Sequence, residues 1–248
     1  MKIHRFIDNF DLTGSEVEIT GEIAHQMAKV LKLEIGEQVE LCDGKGTNAL
    51  GKIKTLSKNS TIVEIESCST EATQDKKSVS LFCAVLKKEN FELVVQKATE
   101  CGVDKIIPVI TTRTIKMGLN MERLQKIARE ACEQSHRSIL PEVLEPISFE
   151  KSLEMLNKED LNPIRAENPL RALATSNGTS IIFDASGEKF SSDLINGNVN
   201  IFIGPEGGWT PEELETAQKH NFKIFTLGKN ILRGETAAIV ATYCIVNK

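Results

Sequence analysis

Two short segments place residue types together that could bind and activate a small ligand. An apolar strand-like run, Val199–Ile203, enters Gly204-Pro205-Glu206-Gly207-Gly208, and Thr210 with Glu213 then forms a capping box around Pro211, the first residue of a helix. In open α/β sheets ligands bind beyond the carboxyl ends of strands, where such a loop sits, and glycines let backbone approach a ligand closely. The same glycines would equally serve a tight strand-to-helix turn. No Gly-Lys-Ser/Thr follows and the spacing is not GxGxxG, so this is neither a Walker A loop nor the dinucleotide fingerprint. In the second segment a short strand, Lys223–Leu227, turns at Gly228, and Arg233-Gly234-Glu235-Thr236 opens a helix made apolar by Ala237, Ala238, Val240, Ala241 and Ile245. A cation and a carboxylate beside a buried helix are costly unless paired or functional, and an internal Arg233–Glu235 pair and a reactive pair both satisfy that condition.

The elements that must hold these segments follow from the hydrophobic rhythm. Strand-like runs at Glu16–Ile19, Gln38–Cys42, Ala49–Thr55 and Thr61–Ile65 surround one helical stretch, Ile23–Leu33, with turn residues at Asp43–Gly46, which suits a small β-rich domain. Ser67–Ser80 is polar and aperiodic and reads as a linker. Beyond it strands alternate with helices. Val79–Leu86 is an apolar strand, and Phe91, Val94, Val95, Ala98 and Cys101 fall at helical spacing before a stop at Gly102. A second strand, Lys105–Ile110, then precedes a long helix with Met121, Leu124, Ala128, Ala131, Cys132 and Ser135 on one face. Arg123, Lys126, Arg129 and Arg137 lie on the other face, Ser180–Asp184 is a further buried strand, and Asn157–Thr179 reads as irregular. Alternation of this kind predicts a parallel α/β domain.

Composition narrows the classes. With 248 residues, 40% apolar and 26% charged, the chain can bury a full core without metal or disulfide staples. No apolar run reaches the 18 or so residues of a membrane span, and the first residues lack a signal-peptide pattern, so a cytoplasmic protein with no membrane partner is expected. The six cysteines are expected mostly on apolar faces, and with the four histidines they are dispersed, so no metal site is expected. The net charge of -5 supplies no bulk field for nucleic acid. Residues 1–72 carry 8 basic against 12 acidic side chains, whereas Arg113–Arg137 carries six against three, which permits a local basic patch or a solvated helix face.

Taken together, GPEGG followed by TPEE, and LGKNILRGETA, resemble the SPOUT class of knotted methyltransferases. Within it they resemble the small-subunit (16S) ribosomal RNA uridine N3-methyltransferases. His4-Arg5-Phe6, Ala24-His25 with Val30-Leu31-Lys32, the Asp43–Gly46 turn, the run from Gln96 to Val109 and the run from Ala128 to Glu142 extend the resemblance over essentially the whole chain. It implies a PUA-like RNA-binding β-barrel over residues 1–72 and an α/β trefoil-knotted SPOUT domain over 73–248, a knot being something no spacing rule reveals.

The resemblance further implies S-adenosylmethionine as methyl donor, held by Gly204, Glu206, Gly207, Gly208, Leu227, Gly228, Ile231, Leu232, Thr236 and Ala237. Transfer to uridine N3 needs alignment, loss of the N3 proton and stabilisation of charge on the ring. Arg233 suits the last role, and Glu206 or Glu235 could orient the donor or take the proton. Arg5, Lys32 and Arg137 are the expected RNA-phosphate contacts, the small ribosomal subunit the partner, and a homodimer built on the C-terminal helix the assembly. Lys32, Cys101, His136 and Gly234 depart from the family pattern, where arginine, leucine, a small residue, and threonine or alanine are usual. A sister enzyme acting elsewhere on RNA and a non-catalytic RNA-binding adaptor are the competing readings.

Overall fold

The computed structural model describes residues 3–71, 77–115, 118–156, 178–191, 193, 195 and 197–247. Most of the stretch expected to be irregular, residues 157–177, and the middle of the expected linker, residues 72–76, lie outside them. The chain forms two compact units.

The first unit comprises Met1–Asp75 together with Arg129–Leu140. Its elements are β1 (His4–Ile7), β2 (Glu16–Thr20), α1 (Gly21–His25) running into a π-helical stretch Gln26–Val30, β3 (Gln38–Cys42), β4 (Thr47–Leu56) and β5 (Ser60–Thr70). The sheet order is β1-β3-β4-β5-β2, with β1 parallel to β3 and the other pairs antiparallel. Alternation drives the packing: Val17 and Ile19 of β2 are buried between exposed Glu16, Glu18 and Thr20. All five strands feed one core, including Phe6, Ile19, Leu41, Ile53 and Val63, with Met27 contributed by the π-helical stretch. The expected turn at Asp43 forms because its Oδ1 accepts the N–H groups of Lys45 (2.7 Å) and Thr47 (2.9 Å). Two expectations are corrected. The helix expected over Ile23–Leu33 is a short α-turn followed by wider π-helical turns, and the polar residues Ser67–Thr70 continue β5 because they pair with Thr47–Leu50.

The segment Arg129–Leu140 belongs to this unit through Gly46 N–H to Ser138 O (3.0 Å), Leu140 N–H to Gly44 O (2.9 Å) and a bridge between Lys45 and Ile139.

The second unit comprises Lys76–Ala128 and Pro141–Lys248. In chain order it holds β6 (Val79–Ala84), α2 (Lys88–Cys101), β7 (Lys105–Ile110), the start of α3 (Met121–Ser135), β8 (Glu142–Val143), β9 (Ile147–Ser148) and α4 (Phe149–Leu156). After these come β10 (Thr179–Lys189), β11 (Val199–Ile203), α5 (Pro211–Lys219), β12 (Lys223–Thr226) and α6 (Gly234–Val246). Every pairing is parallel, in the order β12-β10-β11-β6-β7-β8, with β9 also on β7. β6 and β11 are buried at every position, as expected of strands covered on both faces. Phe82 and Phe202 stack at 4.4 Å across these two strands. α2 ends at Gly102, whose φ of 105° closes the helix, and a Cβ there would lie 2.8 Å from Val246, so α6 packs tightly on the end of α2. Of the cysteines, Cys42, Cys83 and Cys132 are buried and Cys101 is half-buried, while Cys68 and Cys244 are exposed.

Candidate active site

The middle of β10, the carboxyl ends of β11 and β12 and the start of α6 line a cavity of about 700 Å³. Its wall includes Phe183 and Asp184 within β10, Gly204–Trp209 after β11, Leu227 and Asn230–Leu232 after β12, Arg233 at the N-cap of α6, and Glu235 and Ala237 from α6. Lys87 and Asn90 close it from the start of α2. Both segments singled out by residue type therefore meet in one cavity of a size that suits a small-molecule ligand. Of the residues expected to hold a donor, Gly204, Glu206, Gly207, Gly208, Leu227, Ile231, Leu232 and Ala237 line it; Gly228 and Thr236 do not.

The Gly204–Trp209 turn is shaped by what lies behind it. Trp209 is buried, and its indole N–H donates to the carbonyl of Phe183 at 3.3 Å. A Cβ at Gly204 would come within 3.0 Å of that indole nitrogen, so this glycine makes room for the ring. Gly208 holds a φ of 69°, where a side chain would be strained. A Cβ at Gly207 would point at Arg113, 3.3 Å from Cδ, not into the cavity. The helix start is as expected: Thr210 Oγ1 accepts from Glu213 N–H (3.2 Å) while Glu213 Oε2 accepts from Thr210 N–H (2.8 Å).

The three candidate reactive side chains differ sharply in environment. Glu235 is buried, and its Oε2 has no hydrogen-bond partner among the described residues. Arg233 is 86% exposed, with Nη1 4.0 Å from Glu235 Oε1, so the pair is too loose to be a structural clamp. Glu206 is exposed and accepts the Lys87 N–H at 3.3 Å. Beneath them lies Cys83, whose thiol is pushed up by full burial, and further by the charges of Glu206 and Glu235, so it stays protonated. Among the described residues no group of His, Cys, Asp and Glu is arranged to hold a metal.

The expected phosphate contacts lie in the first unit and are not alike. The Arg5 side chain is 5% exposed and donates to Glu40 Oε1 (3.1 Å), Asn48 Oδ1 (2.8 Å) and Arg137 O (2.9 Å). It is a packing hub, which removes it from the accessible phosphate contacts. Lys32 is exposed, with a left-handed φ of 53°, and Arg137 is half-buried. Arg113, which contacts the glycine turn, was invisible to motif reading because nothing in its local sequence points across 94 residues to Gly207.

Comparison with known proteins gives consistent matches. The RNA methyltransferase domain model matches residues 73–246, and the RNA methyltransferase PUA domain model matches residues 19–66. The chain is 32% identical to a ribosomal RNA small subunit methyltransferase E from Rickettsia conorii, covering 97% of this chain and 94% of the relative. It is 30% identical to the protein of the same name from Bacillus subtilis, covering 95% and 93%. A crystal structure of a ribosomal RNA small subunit methyltransferase E from Neisseria gonorrhoeae bound to S-adenosyl methionine superimposes with a TM-score of 0.82. That match has 29% identity and covers 97% of this chain and 95% of the other.

Proposed function

The chain belongs to the ribosomal RNA small subunit methyltransferase E family, and from that membership we propose that it methylates N3 of a uridine in small-subunit ribosomal RNA, with S-adenosylmethionine as donor. The observation that carries this reading is the cavity, which both glycine-containing loops line and which receives a buried carboxylate with a spare acceptor oxygen. A polar atom buried without a partner costs free energy, so Glu235 Oε2 fits a bound group that offers a donor or positive charge. Gly204, Glu206, Gly207, Gly208, Leu227, Ile231, Leu232 and Ala237 would hold the donor, which supplies an electrophilic methyl group on a sulfonium sulfur.

The remaining work falls to the chain's own side chains. Glu235 is the better placed of the two carboxylates to take the N3 proton or orient the reactants, because it is shielded from water. Glu206, exposed and already accepting from Lys87, serves as wall. Arg233 stands exposed at the rim, only loosely paired with Glu235, where a guanidinium can meet an incoming ring and stabilise negative charge on its oxygens. Lys32, in the N-terminal domain of residues 1–72, and Arg137, in the Arg129–Leu140 segment that belongs to the same unit, are the phosphate contacts that remain, while 73–248 carries the chemistry.

We extend the proposal to a homodimer. α6 buries Ala238, Ala241, Thr242 and Ile245 inward and leaves Tyr243 59% exposed beside half-buried Ile239 and Val240, an apolar face suited to a second copy. No described helix is long and apolar enough to cross a membrane, and a cytoplasmic location would follow from the substrate. The deciding experiment is mass mapping of methylated nucleotides after incubating the protein and donor with unmodified small subunits. A single new N3-methyluridine is expected; methylation at another atom or none would overturn the reading.

A further inference from the structure

The turn after β7 is tied to the glycine turn at two points. Arg113 Nη1 donates to Gly207 O at 2.7 Å and to Trp209 O at 3.3 Å, and the neighbouring Thr112 N–H donates to Glu213 Oε1 at 2.9 Å. The turn is itself stiffened by Thr111 and Thr114, whose hydroxyls are 2.8 Å apart and whose backbone groups bond each other's residues. The arginine stem lies against Gly207, where an added Cβ would come 3.3 Å from the Arg113 Cδ, a tight contact. The opposite side of this same loop lines the cavity.

We propose that Arg113 is a positioning residue for the methyl donor: by holding the carbonyls of Gly207 and Trp209 from outside, it fixes the cavity-facing side of the Gly204–Trp209 turn. Gly207 then serves the arginine and not the ligand directly. The inference rests on the reading of the cavity as a donor site. For a loop left free to sample other shapes, the apparent Kd rises in inverse proportion to the fraction of time it holds the competent shape, while the reacting groups, Arg233 and Glu235, stay where α6 puts them. Affinity for donor should therefore suffer more than turnover.

The test is calorimetric titration of S-adenosylmethionine into the full chain and its variants, with kcat and KM measured for donor and for small subunits. Arg113→Ala should raise the donor Kd and KM about tenfold, with kcat at saturating donor falling much less. Arg113→Lys should recover most of that loss, because a single nitrogen serves both carbonyls and an ammonium can replace it. Gly207→Ala should weaken donor binding in the parent and do so less in the Arg113→Ala background, since the added methyl then has nothing to displace. Unchanged donor affinity in Arg113→Ala, or a higher KM for small subunits with a shallower salt dependence, would overturn the proposal; the second result would make Arg113 a phosphate contact. If the parent protein takes up no donor, the reading of the cavity falls first and this inference with it.

Discussion

The carboxylate of Glu213 joins two loops: Oε2 closes the capping box with Thr210, and Oε1 accepts the N–H of Thr112, 101 residues earlier in the chain. The side chain is buried, and so is its bond to Thr210 N–H, which has no water to fall back on; the bond to Thr112 is part-buried. Glu213→Gln keeps one acceptor oxygen and turns the other into a donor facing a donor. We expect a loss of about 2 kcal/mol in urea unfolding free energy, the cost of a buried unsatisfied group next to one lost charged hydrogen bond. A loss below half of that would mean that the loops hold without the shared carboxylate.

The indole of Trp209 makes a second test possible, because it is the chain's only tryptophan and lines the cavity. Gly204→Ala would drive a methyl against a rigid, anchored ring at 3.0 Å. The expected cost is about 1–3 kcal/mol of stability, with a shifted emission maximum and weaker donor binding. In the parent, donor titration should change the emission of Trp209. If Gly204→Ala leaves both stability and emission unaltered, the ring has room that the geometry denies it.

Arg233→Ala should separate binding from turnover. The side chain is almost fully exposed and only loosely paired with Glu235, so folding and donor affinity should be unchanged. A cation that acts on charge developing in the reaction is worth about a hundredfold or more in kcat. Full turnover in Arg233→Ala would remove it from the reaction.

Much of this architecture could be read from local pattern. The bounds of β3, β7 and β11 match the strand-like runs, because β3 alternates buried with half-buried positions and β7 and β11 are short, mostly buried stretches. The capping box at Thr210 and Glu213 was legible locally as well. What local pattern missed is long-range. β1 is recognisable only through its parallel pairing with β3, some 35 residues on, and Arg129–Leu140 packs with strands that precede it by about 90 residues. Ser67–Thr70 look like linker in sequence and are strand because of their partner. α4 buries Phe149, Ser152 and Leu153 at helical spacing, a signal that its short local sequence does carry. The site shows the same division. Motifs located both loops, but the Arg113 brace and the burial of Arg5 depend on residues distant in sequence.

Arg5 and Lys32 give opposite expectations for what looks, in sequence, like a pair of RNA contacts. Removing a buried guanidinium that serves Glu40, Asn48 and the Arg137 carbonyl leaves those groups unpaired, so Arg5→Ala should cost about 3 kcal/mol of stability. At temperatures where the variant is folded, the salt dependence of RNA binding should be unchanged. Lys32→Ala should leave stability alone and reduce the slope of log K against log salt by about 0.7–0.9, one phosphate contact. A reduced slope in Arg5→Ala would restore Arg5 as a phosphate contact.

Glu133 supplies a pH test of the first unit. Its Oε1 accepts the Ile7 N–H at 3.1 Å and so ties the end of α3 to β1. Burial pushes its carboxyl above the ordinary glutamate range, outweighing the Ile7 hydrogen bond and the attraction of Arg129 and Arg5, with Glu130 adding repulsion. The folded protein therefore holds this proton more tightly than the unfolded chain. Between the unfolded and the raised folded pKa the native state binds more protons, so this group's contribution to stability falls as pH rises through that window. Glu133→Gln keeps a carbonyl acceptor for Ile7 and removes the buried charge. Urea midpoints for this variant should equal or exceed the parent's at neutral pH, and the difference should close as the pH drops below the ordinary glutamate value, where the parent is protonated as well. If instead the variant is weaker at neutral pH and the gap closes in acid, the arginines outweigh burial and the carboxyl is shifted down, not up.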